Sequence, residues 1–100
     1  MPPPIYLTTA LDDFAEILGY ITRESGSLRA GQTFIAKLRN RCTYIATLPG
    51  TLGSDRSELG SGFRSVAANG YVIFFRYRDK RVEIVNVLHG SRDVKAYFDS

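Results

Sequence analysis

One hundred residues, a formal net charge of +3 and a hydrophobic share of 44% describe a single ordinary globular domain, expected to span residues 1–100. A single cysteine, Cys42, excludes an internal disulfide and a multi-cysteine zinc site, and it fits a reducing compartment. The sequence shows no secretory leader and no apolar run of membrane length, so it reads as cytoplasmic, with no membrane partner.

Three prolines in Met1–Pro4 lack donors for a sheet interior, and Ile5–Thr8 reads as a short edge strand. A helix follows. Thr8 or Thr9 is its expected cap, and Thr9-x-x-Asp12 resembles a capping box. Ala10, Leu11, Phe14, Ile17, Leu18 and Ile21 share one face, while Asp12, Glu16 and Arg23 point away. Gly26 is the expected stop. A second helix starts at the Ser27 cap and runs to about Leu48, where Pro49-Gly50 ends it. Its apolar stripe is Ala30, Phe34, Leu38, Ile45 and Leu48, with Cys42 as a small hydrophobe on the flank. Arg41 falls inside that arc and must snorkel or meet a carboxylate.

The helices differ in charge. The first carries Asp12, Asp13, Glu16 and Glu24 against Arg23; the second carries Arg29, Lys37, Arg39 and Arg41 and no acid. Mutual attraction is the simplest reading. A basic surface awaiting an acidic partner is the sharper one. A glycine-rich loop over 49–62 leads to the sheet.

The sheet is written into 63–93. Asn69-Gly70 is a strong two-residue hairpin signal and Asp79-Lys80 a weaker one. They predict an antiparallel meander of Phe63–Ala68, Tyr71–Arg78 and Arg81–His89. In that register Ala68 faces Tyr71, Val66 faces Ile73, Arg64 faces Phe75, Arg76 faces Glu83 and Ile73 faces Asn86. One face holds Val66, Tyr71, Ile73, Phe75, Tyr77, Val82, Ile84 and Leu88, and should be the core. The other holds Phe63, Ser65, Val72, Phe74, Arg76, Glu83, Val85, Val87 and His89. It is too apolar for open solvent, so the C-terminal tail or a partner protein should cover part of it. Gly90 breaks the last strand, and Ser91 opens a final turn over Arg92–Phe98.

The sequence offers little for catalysis. One His and one Cys at no useful spacing make no metal cluster, no phosphate loop is present, and nothing orients Cys42 with His89 as nucleophile and base. No cofactor is expected. The parts for metal-free RNA cleavage are His89, Arg64, Arg76, Arg92, Glu58 and Glu83, although Arg76 and Glu83 would neutralise each other.

The segments Arg56–Leu59 ("RSEL"), Phe63–Ser65 ("FRS"), Tyr71–Tyr77 and Val87–Asp93, with its "LHGSRD", resemble the ParE branch of the RelE/ParE toxin superfamily from Ala10 to about Phe98. The resemblance implies an α+β fold: an N-terminal strand and helical hairpin packed on an antiparallel meander, with a short C-terminal helical turn. It implies a growth-inhibiting toxin that binds and poisons DNA gyrase rather than an enzyme. The partner would be an acidic, ParD-like antitoxin wrapped along the hairpin and sheet in a hetero-oligomer. Direct sequence-specific nucleic-acid binding by the toxin alone is not expected. Lys37, Arg39, Phe74, Arg76 and Val85 are the expected antitoxin contacts. His89, Arg92, Tyr97 and Phe98 are the expected target contacts. RelE-type relatives instead cleave mRNA on the ribosome. On that alternative His89 and Arg64 would carry the chemistry, but the lysine-rich loop of those relatives is missing here.

Overall fold

The structure, a computed structural model, describes residues 2–48 and 53–99. Its elements run β1 (Ile5–Tyr6), α1 (Thr8–Ser25), α2 (Leu28–Ile45), β2 (Ser54–Asp55), β3 (Arg64–Ala68), β4 (Tyr71–Arg78), β5 (Arg81–His89) and α3 (Val94–Asp99). Two long helices pack on a five-stranded sheet of order β1-β5-β4-β3-β2, an α+β architecture. The meander β3-β4-β5 is antiparallel, whereas β1 lies parallel to β5, pairing Ile5 with Glu83 and Tyr6 with Ile84. The predicted Pro49-Gly50 helix stop lies outside the described residues. The short β2 was not foreseen; it pairs Ser54 with Ser65 and Asp55 with Arg64.

Both hairpin turns form as read. Asn69 and Gly70 sit at φ 53° and 84°, and Asp79 and Lys80 at 53° and 64°. Positive φ at both central residues matches the right-handed twist of the flanking strands, so even a turn without glycine is held there by the sheet. Arg64, Val66 and Ala68 lie opposite Phe75, Ile73 and Tyr71.

Arg76 lies opposite Glu83, and its Nε donates to Oε1 at 2.8 Å. The guanidinium also lies 5.6 Å from the centre of the Phe63 ring. A double-mutant cycle through alanine at 76 and 83 should give a coupling of about 0.5–1 kcal/mol in urea unfolding. Zero coupling would mean the pair adds nothing beyond its packing.

One part of the register differs from expectation. Phe75 pairs with Ile84 but Phe74 with Asn86, so Val85 is an extra residue in β5. Beyond it every side chain changes face. Ile73 therefore faces Val87, not Asn86; Val87 joins the core and Leu88 leaves it. His89 moves with Val87 and stands edge-on to Tyr71, with ring centroids 5.3 Å apart. The cause is α1. Thr9 Oγ1 donates to the Val85 carbonyl, and Asp13 Oδ2 accepts from Val87 N–H at 2.8 Å and from Asn86 Nδ2 at 2.9 Å. Helix side chains thus take over the β5 edge where β1 ends.

That role also explains the missing capping box. Leu7 is the N-cap of α1 and contributes no side-chain bond, because Thr9 is engaged with the sheet. The other caps match the reading: Gly26 closes α1 in the left-handed conformation, and Ser27 Oγ accepts from Ala30 N–H. Gly31 lets the hairpin close, since a Cβ there would meet Thr22 Oγ1 at 2.5 Å and a Leu18 methyl at 2.9 Å.

The core between helices and sheet holds Phe14, Ile17, Leu38, Cys42, Ile45, Ile73, Phe75, Ile84 and Val87. Cys42 lies at its centre, and burial pushes its thiol up to about 12, as for an inert apolar side chain. Among the described residues Arg41 meets no carboxylate; its guanidinium lies over the Tyr44 ring at 5.6 Å. The second sheet face is covered by the chain itself. Phe98 of α3 packs edge-on against Phe63 and Phe74, at 5.9 and 5.4 Å. Ser91 does not cap that turn: its amide donates to His89 Nδ1, and its hydroxyl lies 2.7 Å from the same atom.

Candidate interaction surfaces and family

The fold brings exposed functional groups together in two places. The first is a groove of about 460 Å³ between α2 and the end of the β3–β4 hairpin. Lys37 and Arg41, one helical turn apart, line its wall beside Asn40 and Tyr44, and Ala67, Ala68 and Asn69 form its floor. No acidic residue lines it among the described residues. The pairing of β2 with β3 stops at Ser65, so the outer edge of Val66–Ala68 has no strand partner among the described residues. Arg39 does not share this groove. Two residues from Lys37 is a turn of about 200° around a helix, and Arg39 stacks over Tyr6 of β1 at 4.7 Å.

The second place is a cleft of about 440 Å³ between α1 and the end of β5. His89 and Arg92 line it, together with Tyr20 and Arg23 of α1, which the sequence reading had not considered as site residues. Arg23 folds back over Gly19, where a Cβ would sit 3.1 Å from its Nη1. Since His89 Nδ1 accepts from the Ser91 amide, the neutral ring carries its proton on Nε2.

The remaining expected contacts are placed inside the fold. Phe74 is 1% exposed beneath Phe98, and Val85 is buried at the bulge. Arg76 is engaged with Glu83. Tyr97 and Phe98 turn inward. The Tyr97 hydroxyl accepts from Asn86 Nδ2 at 3.0 Å while Arg92 covers its ring at 4.6 Å. His89 and Arg64, the two residues named for RNA cleavage, are not brought together. His89 sits opposite Tyr71 and Arg64 opposite Phe75, on the two sides of β4. Four residues at about 3.4 Å and two strand spacings of about 4.8 Å separate them, far beyond the reach of one phosphate. Arg64 instead donates to the Gly53 carbonyl at 2.7 Å.

Burial perturbs one carboxylate near the cleft. Desolvation raises the pKa of Asp13, Glu16 adds to the rise, and hydrogen bonds from Val87 and Asn86 and the charge of Arg92 oppose it. No helix among the described residues is long and apolar enough to cross a membrane.

A family model described as the ParE toxin of the type II toxin–antitoxin system parDE matches residues 5–94. The chain belongs to the ParE toxin family. It is 32% identical over 85 residues to Toxin ParE1 of Caulobacter vibrioides, covering 85% of each protein. Its fold is similar to a chain of the chromosomal ParDE toxin–antitoxin system of P. aeruginosa, with a TM-score of 0.73. That likeness covers 89% of this chain and 96% of the other at 14% identity, and bears on fold alone. The ParE match spans both helices, the whole meander and both surfaces described above.

Proposed function

We propose that this chain is a cytoplasmic, non-enzymatic toxin that stops growth by binding and poisoning DNA gyrase, and that a ParD-like antitoxin neutralises it by direct binding. The observation that carries the reading is the ParE family match over residues 5–94. The antitoxin's place is the basic α2 groove, where Lys37 and Arg41 stand beside a strand edge with no partner among the described residues and no acid among the lining residues. An acidic extended segment finds there both charge partners and main-chain groups to bond. Arg39 extends the positive field toward β1. The target's place is the cleft on the far side of the β3–β4 turn, lined by Tyr71 rather than Ala68, where His89 and Arg92 are exposed.

The deciding assay is supercoiling and DNA cleavage by purified gyrase, with the toxin added alone and with its antitoxin. The expected outcome is lost supercoiling and trapped cleaved DNA, both reversed by antitoxin. Unaffected gyrase in the presence of folded toxin overturns the reading. In the same assay Lys37→Glu with Arg41→Glu should raise the antitoxin needed for reversal about tenfold at low salt and less at high salt. This pair is cleaner than one including Arg39, whose removal also uncovers Tyr6. An unchanged titration would show that charge does not hold the antitoxin.

A further inference from the structure

The cleft between α1 and the end of β5 carries a more specific reading. It rests on the gyrase proposal above, and it concerns what the cleft receives. Its lining is of mixed charge: Arg23, His89 and Arg92 share it with the carboxylates of Asp13 and Glu16, and the charge of Arg92 is felt at Asp13. Tyr20, about half exposed, and Tyr71 supply aromatic surface. Asp13 is occupied by the β5 bulge, which leaves Glu16 as the acid available to a ligand. Arg23 has no carboxylate within ion-pair distance among the described residues. Its guanidinium lies over Gly19, where a Cβ would stand 3.1 Å from Nη1.

We infer that this cleft is a docking site for a peptide segment of the target protein that carries a carboxylate next to a hydrogen-bond donor or cationic side chain. The carboxylate meets Arg23 and Arg92, and the His89 Nε2–H supports it. The donor or cation meets Glu16, and an apolar part of the segment lies on Tyr20. Charged hydrogen bonds to planar guanidinium groups favour a carboxylate in such a place. The carboxylates in the lining disfavour the simplest competitor. A nucleic-acid strand presents a phosphate at every step, so its neighbouring charges would fall against Glu16. A polypeptide can alternate sign over the same length. Tyr and Arg are also the residue types that most often anchor protein interfaces.

The test measures binding of fluorescently labelled toxin to purified gyrase, and separately to a short DNA duplex. Arg23→Glu should weaken gyrase binding at least tenfold and Tyr20→Ala about fivefold. Arg78→Glu, exposed at the opposite end of β4, should leave it unchanged. Antitoxin binding of Arg23→Glu should match wild type and its melting should fall only slightly, because Arg23 is exposed, has no ion pair among the described residues and loses only a favourable charge in the last turn of α1. Wild-type affinity in both Arg23→Glu and Tyr20→Ala overturns the cleft while leaving the gyrase reading standing. A wild-type toxin that does not bind gyrase overturns both. Loss of antitoxin affinity in these variants with gyrase affinity intact also overturns the proposal, assigning the cleft to the antitoxin. Duplex binding that Glu16→Gln strengthens and Arg23→Glu abolishes would make the occupant a nucleic acid and overturn it as well.

Discussion

Phe75→Ala should cost about 3–5 kcal/mol, as expected for emptying a closed core site. Phe74→Ala should cost distinctly less, about 2–3 kcal/mol. The two rings are neighbours in β4 and both are essentially fully buried, at 0% and 1% exposed. They point to opposite faces of the sheet. Phe75 lies in the cluster between the helices and the sheet, edge-on to Tyr77 at 6.1 Å. Two eighteen-residue helices close over that side, and they cannot collapse into a cavity without breaking their packing on each other. Phe74 lies under Phe98, which belongs to a six-residue helix at the chain end. So short an element can settle into the gap and recover part of the lost contact. Urea unfolding of both variants measures the difference. Against a typical domain stability of about 5–15 kcal/mol, Phe75→Ala alone removes roughly a fifth or more. Equal costs for the two would mean that α3 covers its face as firmly as the helical hairpin covers the other.

These neighbouring rings also show what the sequence made legible. The run Tyr71–Tyr77 is apolar on both faces, and that correctly implied a covered second face. Two-residue turns fixed the strand pairing near each hairpin, so Arg76 could be placed opposite Glu83 without coordinates. The failure came at Val85. A bulge is held by groups distant in sequence, here Thr9 and Asp13, and nothing local in Val82–Leu88 demands it. The one trace was Asn86, a polar residue inside an apolar strand, whose side chain bonds Asp13 and Tyr97. With the bulge missed, Val87, Leu88 and His89 were assigned to the wrong faces.

The interaction surfaces were half legible for the same reason. The basic character of α2 was plain in the composition, and helical periodicity alone would have separated Lys37 from Arg39. The placing of Lys37 beside the end of β3 needed the topology. Arg23 was read only as an outward-facing residue of an amphipathic helix, and Tyr20 was given no role. Their signal was an aromatic among charges, Glu16, Tyr20 and Arg23, at one helical face. Only the fold reveals that this face ends beside His89, since sequence carries no direct record of which strand end meets which helix.

Asp13 offers a test of the bulge that separates hydrogen bonding from charge. Asp13→Ala should cost about 2–4 kcal/mol, because it leaves the Val87 N–H and the Asn86 amide without their acceptor. Asp13→Asn keeps an acceptor oxygen and should cost under about 1 kcal/mol near neutral pH. The pH dependence follows from burial, which raises the folded-state pKa of Asp13 above its ordinary value of 3.8. The folded protein then holds the proton more tightly than the unfolded chain. That contribution to stability is complete below the unfolded value and is lost as pH rises through the folded one. Asp13→Asn cannot lose it. Its stability relative to wild type should therefore improve as pH is raised from about 4 toward neutrality. Urea unfolding of wild type and variant across that range reads the difference directly, with other carboxylates cancelling between the two. Parallel curves would show that the carboxylate is as well solvated in the fold as in the unfolded chain. A difference that closes with rising pH, together with a large loss in Asp13→Ala, would show that the fold disfavours the charged form of Asp13 and keeps the side chain for its acceptor oxygen, at the point where strand pairing runs out.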